Sequence, residues 1–85
     1  SNVHITPVVA QVDGFDGLRA DPREIARTLV VPLAKFRDPA RRSWETYSIA
    51  GQSVQVPVFS VPERVWGATA RILHTLMDAL DRAPA

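Results

Sequence analysis

The chain opens with a stretch dense in β-branched residues: Val3, Ile5, Val8, Val9 and Val12. Branching at Cβ favours extended backbone, so the pattern predicts a strand from Val3 to Val12, with Pro7 directing it to an edge or a bulge. Val8 and Val9 are apolar on neighbouring positions, as in a strand covered on both faces. Asp13-Gly14-Phe15-Asp16-Gly17 is a turn cluster, because glycine adopts positive φ and aspartate bonds its own backbone. Asp21-Pro22 has the form of a helix start, with Asp21 as cap and Pro22 in the first turn. The residues that follow argue otherwise. Thr28-Leu29-Val30-Val31 is apolar and β-branched with Pro32 behind it, so Ile25 to Val31 is predicted as a strand. Pro32 then opens a short helix, Leu33 to Arg37, which Asp38-Pro39 ends.

Arg41 to Ser60 reads as a hairpin. Trp44, Thr46, Tyr47 and Ile49 favour one strand, and Val54, Val56, Val58 and Phe59 its partner, with the turn at Ala50-Gly51-Gln52. Val54, Val56 and Val58 alternate with Gln55 and Pro57, the period of a strand with one buried face. The last element is a helix, Val65 to Arg82. Trp66, Ala70, Leu73, Leu76, Met77 and Leu80 recur at three- and four-residue spacing, and Arg71, Asp78, Asp81 and Arg82 fall largely on the other side. Trp66 is expected to anchor the core, Gly67 to allow close packing where helix meets sheet, and Thr69 to bond locally. The predicted order is β, loop, β, short α, β-hairpin, long α: an α+β class.

Composition narrows the function classes. Eighty-five residues suggest one domain or part of one. A net charge of +1 gives no electrostatic case for nucleic acid or a membrane surface. The chain has no cysteine, which excludes disulfides, thiolate zinc sites and cysteine nucleophiles and fits a cytoplasmic protein. No apolar run approaches the roughly 20 residues of a membrane helix. Ser1-Asn2 has the look of a tag-cleavage scar, leaving residues 3–82 as the domain and 83–85 as a tail.

Val65-Trp66-Gly67-Ala68-Thr69-Ala70-Arg71-Ile72-Leu73-His74 resembles the C-terminal signature of the coenzyme A pyrophosphatases in the Nudix hydrolase superfamily. Three upstream segments are similar to that family in order and spacing: Thr6-Pro7-Val8-Val9, then Asp21-Pro22-Arg23-Glu24-Ile25 with Val31-Pro32-Leu33, then Pro57-Val58-Phe59. The resemblance spans about Val3 to Leu80. It implies the second half of a Nudix-like mixed sheet with a short helix and a long C-terminal helix. It also implies an intact parent that cleaves the diphosphate of coenzyme A or a derivative with magnesium or manganese.

The defining Nudix box is not in this chain. That box sets glutamates on one helix to hold divalent cations, which neutralise a diphosphate and activate water. The look-alike Arg23-Glu24-Ile25 puts Val9 where the box has glycine and Phe15 where it has its first glutamate. Arg27 and Thr28 replace the adjacent glutamates. The resemblance therefore places the box, and the coenzyme A motif, upstream of Val3. It implies no metal ligand and no identified substrate-binding residue in this chain, no cofactor for the chain alone, and no hydrolysis by it. In several Nudix families a carboxylate beyond the box reaches the active site, which makes Glu24 the catalytic candidate in an intact parent. The alternative is a solvated glutamate paired with Arg23 or Arg27.

Other chemistry has little support. His4 and His74 have no ligand set around them; His74 and Asp78 stand four apart on a helix, as surface partners do. Ser43, Ser48, Ser53 and Ser60 lack a nucleophile-elbow context. Gly14 and Gly17 are not a phosphate loop. Arg41-Arg42 with Trp44 has the residue types for phosphate contact and stacking, but reads first as a solvated face. The expected partners are a second copy, through an open sheet, or the missing N-terminal part. The rival to the hydrolase reading is a non-catalytic binding or oligomerisation module derived from the same fold.

Overall fold

The computed structural model describes residues 3–83, and the chain divides into two units at Val30–Val31. The expected scar, Ser1-Asn2, and most of the expected tail lie outside the described residues.

The first unit contains turns but no strand or helix among its described residues, so both strands expected there, Val3–Val12 and Ile25–Val31, are corrected. The reason is that β-branched side chains bias φ and ψ but do not make a sheet. A strand is stable only when a neighbouring strand takes its N–H and C=O groups, and among the described residues neither segment pairs with a strand. Every residue from Val3 to Val30 is exposed except Asp21, which is half-buried; Val8 is 87% exposed. The turn cluster does form. The Leu18 N–H donates to the Phe15 carbonyl at 3.0 Å, and Gly17 adopts φ +86°, the residue that such a turn requires at its third position. Asp21 organises a second turn. Its carbonyl accepts from the N–H groups of Glu24 (3.0 Å) and Ile25 (2.8 Å), and its carboxylate accepts from the Arg23 N–H at 2.9 Å. The helix start legible in Asp21-Pro22 thus makes a single turn and stops.

The second unit carries the regular structure. Helix α1 is Leu33–Arg37, as expected, with Pro32 at its N-cap; a 3-10 turn, Pro39–Arg41, follows, capped by the Asp38 carboxylate at Ala40 N (3.0 Å). Strands β1 (Arg42–Ile49) and β2 (Gln52–Ser60) form the predicted hairpin, in unbroken register from Arg42 opposite Phe59 to Ile49 opposite Gln52. The two-residue loop Ala50-Gly51 has φ +52° and +78°. Positive φ at both positions is the turn whose twist matches that of the strands. A third strand, β3 (Arg64–Val65), pairs with β2 and was not expected; α2 consequently begins at Gly67 rather than Val65 and runs to Arg82. The result is an α+β fold with a three-stranded antiparallel sheet in the order β1-β2-β3, a short helix and a long C-terminal helix.

Phe36, Phe59, Val61, Ala70 and Met77 form the core, with Val31, Val65, Leu73 and Leu76 packed against it. The Phe36 and Phe59 rings meet edge to face, 5.3 Å apart. Burial runs unbroken from Val56 to Phe59, so β2 is covered on both faces where its alternation suggested one. Arg37 closes the outside of the core, donating from Nε (3.1 Å) and Nη2 (2.7 Å) to Asp81 Oδ1, which ties α1 to the end of α2.

Two expectations at the start of α2 are corrected. Trp66 is not a core anchor: it is 57% exposed, because it stands at the N-cap in extended backbone, outside the helical phase that places Ala70 and Met77 inward. Gly67 is not there for close packing, since a Cβ built on it meets nothing within 4 Å; its φ of +69° is what calls for glycine. Thr69 is exposed and its hydroxyl makes no hydrogen bond among the described residues, whereas Thr75 Oγ1 donates to the Arg71 carbonyl at 3.0 Å.

Candidate functional site

Glu24, the catalytic candidate of the sequence, lies on the turn that Asp21 organises. Its backbone is held, but its carboxylate is exposed and makes no hydrogen bond or ion pair among the described residues. Of the two expected alternative partners, Arg23 and Arg27, the first is committed elsewhere: its Nε (3.2 Å) and Nη2 (3.1 Å) donate to the two oxygens of Asp21. That fork, with the Arg23 N–H, holds the Asp21 carboxyl below its usual range. Asp21 is thereby the fixed carboxylate of this turn and Glu24 the free one.

Trp44 and His74 form the second cluster. Trp44 lies on the sheet face that carries Pro57 opposite it in register, and His74 comes from α2. Their rings meet edge to face with centroids 5.0 Å apart. His74 Nδ1 is 3.8 Å from Asp78 Oδ2, beyond hydrogen-bond reach, so the surface contact expected between them is an ion contact at most. Arg41 does not join Trp44: its Nη1 donates to the Ser60 carbonyl at 3.4 Å and its Nε lies 3.6 Å from Asp38. The candidate Arg41-Arg42-Trp44 surface is thus broken at its first residue.

The third cluster was not read from the sequence. On the opposite sheet face Arg64 of β3 reaches the carboxylate of Glu45 on β1, with Nη1 to Oε2 at 2.6 Å and Nη2 to Oε1 at 2.8 Å. The Tyr47 hydroxyl donates to Glu45 Oε1 at 3.2 Å. The bidentate bridge crosses β2 on the face that carries Val56 and Val58. It holds the Glu45 carboxyl below its usual range, first through the hydrogen bonds from Arg64, and raises the guanidinium in turn. A carboxylate held this way stays ionised and is committed to Arg64 and Tyr47 through three hydrogen bonds, so it fastens β1 to β3. Its signal in the sequence was hidden because the spacing from Glu45 to Arg64 means nothing until β3 is known to flank β2.

No three His, Asp or Glu side chains converge as a cation-binding group among the described residues. The first unit has an open apolar hollow of about 430 Å³, lined by Val12, Gly14, Phe15, Asp16, Gly17 and Leu18. No helix of the described residues is long and apolar enough to cross a membrane. No protein-family model, curated protein or solved structure matches the chain.

Proposed function

We propose that the chain is the C-terminal portion of a Nudix hydrolase resembling the coenzyme A pyrophosphatases. Its intact parent hydrolyses the diphosphate of coenzyme A or a derivative with magnesium or manganese, and the 85-residue chain alone is inactive. One observation supports this above the rest. Pro57-Val58-Phe59 is a strand, and Trp66-Gly67-Ala68-Thr69-Ala70 turns from the sheet into the long helix, with Phe59 and Ala70 meeting in one core. That is the arrangement the resemblance requires of these two segments. Diphosphate hydrolysis needs carboxylates gathered on divalent cations. The parent's metal centre would then lie in the part preceding Val3, with Glu24 as the added carboxylate that positions water.

Complementation tests the proposal. The chain is mixed with the N-terminal part of a coenzyme A pyrophosphatase that ends after its metal-binding helix, and coenzyme A hydrolysis is followed with magnesium and with manganese. A complex that releases phosphopantetheine is the expected result, while each part alone releases none. In that complex Glu24→Gln slows turnover by about tenfold or more, the size of effect of a positioned acid–base group. Undiminished turnover removes Glu24 from the mechanism.

The rival, a non-catalytic binding or oligomerisation module, is favoured by a different observation: Phe36, Phe59, Val61, Ala70 and Met77 close a core within residues 31–83. Failure of complementation by a well-folded chain leaves that reading in its place.

A further inference from the structure

One segment carries apolar side chains in solvent: Val3, Ile5, Val8, Val9 and Val12 are each at least 60% exposed. From His4 to Val12 no backbone group is hydrogen-bonded among the described residues. The same chain has an open sheet edge. Among the described residues β1 has a neighbour on one side only, and its eight residues contain no proline, lysine or bulge, with Arg42 as its one cation. Its single acidic group, Glu45, is turned across the sheet to Arg64.

We infer that Val3–Val12 of one copy adds as a fourth strand to the β1 edge of a second copy, and that the exchange is reciprocal. Side chains along a strand alternate between faces. Val3, Ile5 and Val9 are on one phase of the incoming segment and Val8 and Val12 on the other, so it is apolar both ways. The receiving edge offers one exposed apolar side chain on each face: Trp44 and Ile49, each 50% exposed, lie on opposite faces of β1. Pro7 is tolerated because the incoming strand is itself the new edge. A second copy fits better than another partner because it brings both halves of the match, and a two-fold pair uses each half twice. The inference concerns the 85-residue chain and does not rest on the Nudix reading.

Light scattering behind size exclusion, at about 100 µM where mass action favours association, gives the first readout. Twice 9.4 kDa is expected. Ala10→Pro removes an N–H of the phase opposite to Pro7, the phase that faces β1, in a stretch from His4 to Val12 whose backbone makes no hydrogen bond among the described residues; it is expected to weaken the dimer by about tenfold or more without altering the fold of residues 31–83. A second readout locates the contact. The protein has no cysteine, so a nitroxide on Thr6→Cys is site-specific. Mixed with isotope-labelled unmodified chain, it is expected to broaden the amides of β1. A 9.4 kDa monomer overturns the inference, as does a dimer whose broadened amides lie outside β1. A monomer that nonetheless binds the N-terminal hydrolase part overturns it while leaving the proposed function standing.

Discussion

At the scale of single residues, Ala50 is in the wrong place for its type. It holds φ +52° at the first turn position of the hairpin, where a Cβ crowds the backbone. Ala50→Gly should stabilise the second unit by about 0.5–1 kcal/mol, read as a higher urea midpoint with unchanged slope. Gly51, at φ +78°, is already the residue its conformation wants, and Gly51→Ala should cost about 1 kcal/mol. Glu45 gives a pH dependence. Its carboxyl is depressed in the folded chain below its ordinary 4.5, so its stabilising contribution is present above that pH and is lost as pH falls through the lower folded value. Glu45→Gln should therefore melt lower than the unsubstituted chain at pH 7, and the gap should close in acid. An equal gap at both pH values would deny the Glu45–Arg64 bridge its part in stability. The residues of this bridge were visible in the sequence as types but not as a pair, since charge pairing across a sheet follows strand order and not sequence spacing.

At the scale of elements, the hairpin and the long helix were legible because each has a local cause. β1 and β2 combine alternation with a glycine turn, and α2 sets Ala70, Leu73 and Met77 on one stripe. The same stripe predicts what breaks the unit. Met77 is 1% exposed, and Met77→Ala should cost about 2–5 kcal/mol by chemical denaturation. Leu80, on the same stripe but 37% exposed, should cost far less when cut to alanine. The mistakes at this scale share one origin. Trp66 and Gly67 were assigned by residue type to the core and to a close approach. The position of the helix start, one residue after a two-residue strand, instead exposes the first and requires positive φ of the second.

At the scale of the whole molecule, the two units differ in what holds them. Residues 42–82 have ladder and helix hydrogen bonds over a shared core, whereas residues 3–30 have turns and exposed side chains. Hydrogen exchange of the dilute chain should show amides of β2 and α2 protected and those of Val3–Val12 exchanging freely. At the higher concentration where the inferred dimer forms, protection should spread to Val3–Val12 and β1. Protection of Val3–Val12 already at high dilution would mean that the segment finds its partner within one copy.

The sequence by itself determined the helices α1 and α2, the hairpin and its turn, because period, proline and glycine act on a few neighbouring residues at a time. It also determined that the chain has no thiol chemistry and that Arg23-Glu24-Ile25 lacks the glutamates of a metal-binding box. Only the tertiary structure decided that β3 flanks β2, that Glu45 is spent on Arg64, and that Arg23 turns to Asp21 and leaves Glu24 free. It alone decided, too, that the β-branched residues of Val3–Val12 form no strand. Each of these depends on which backbone and side-chain groups meet across space, and a strand exists only where another strand accepts its hydrogen bonds.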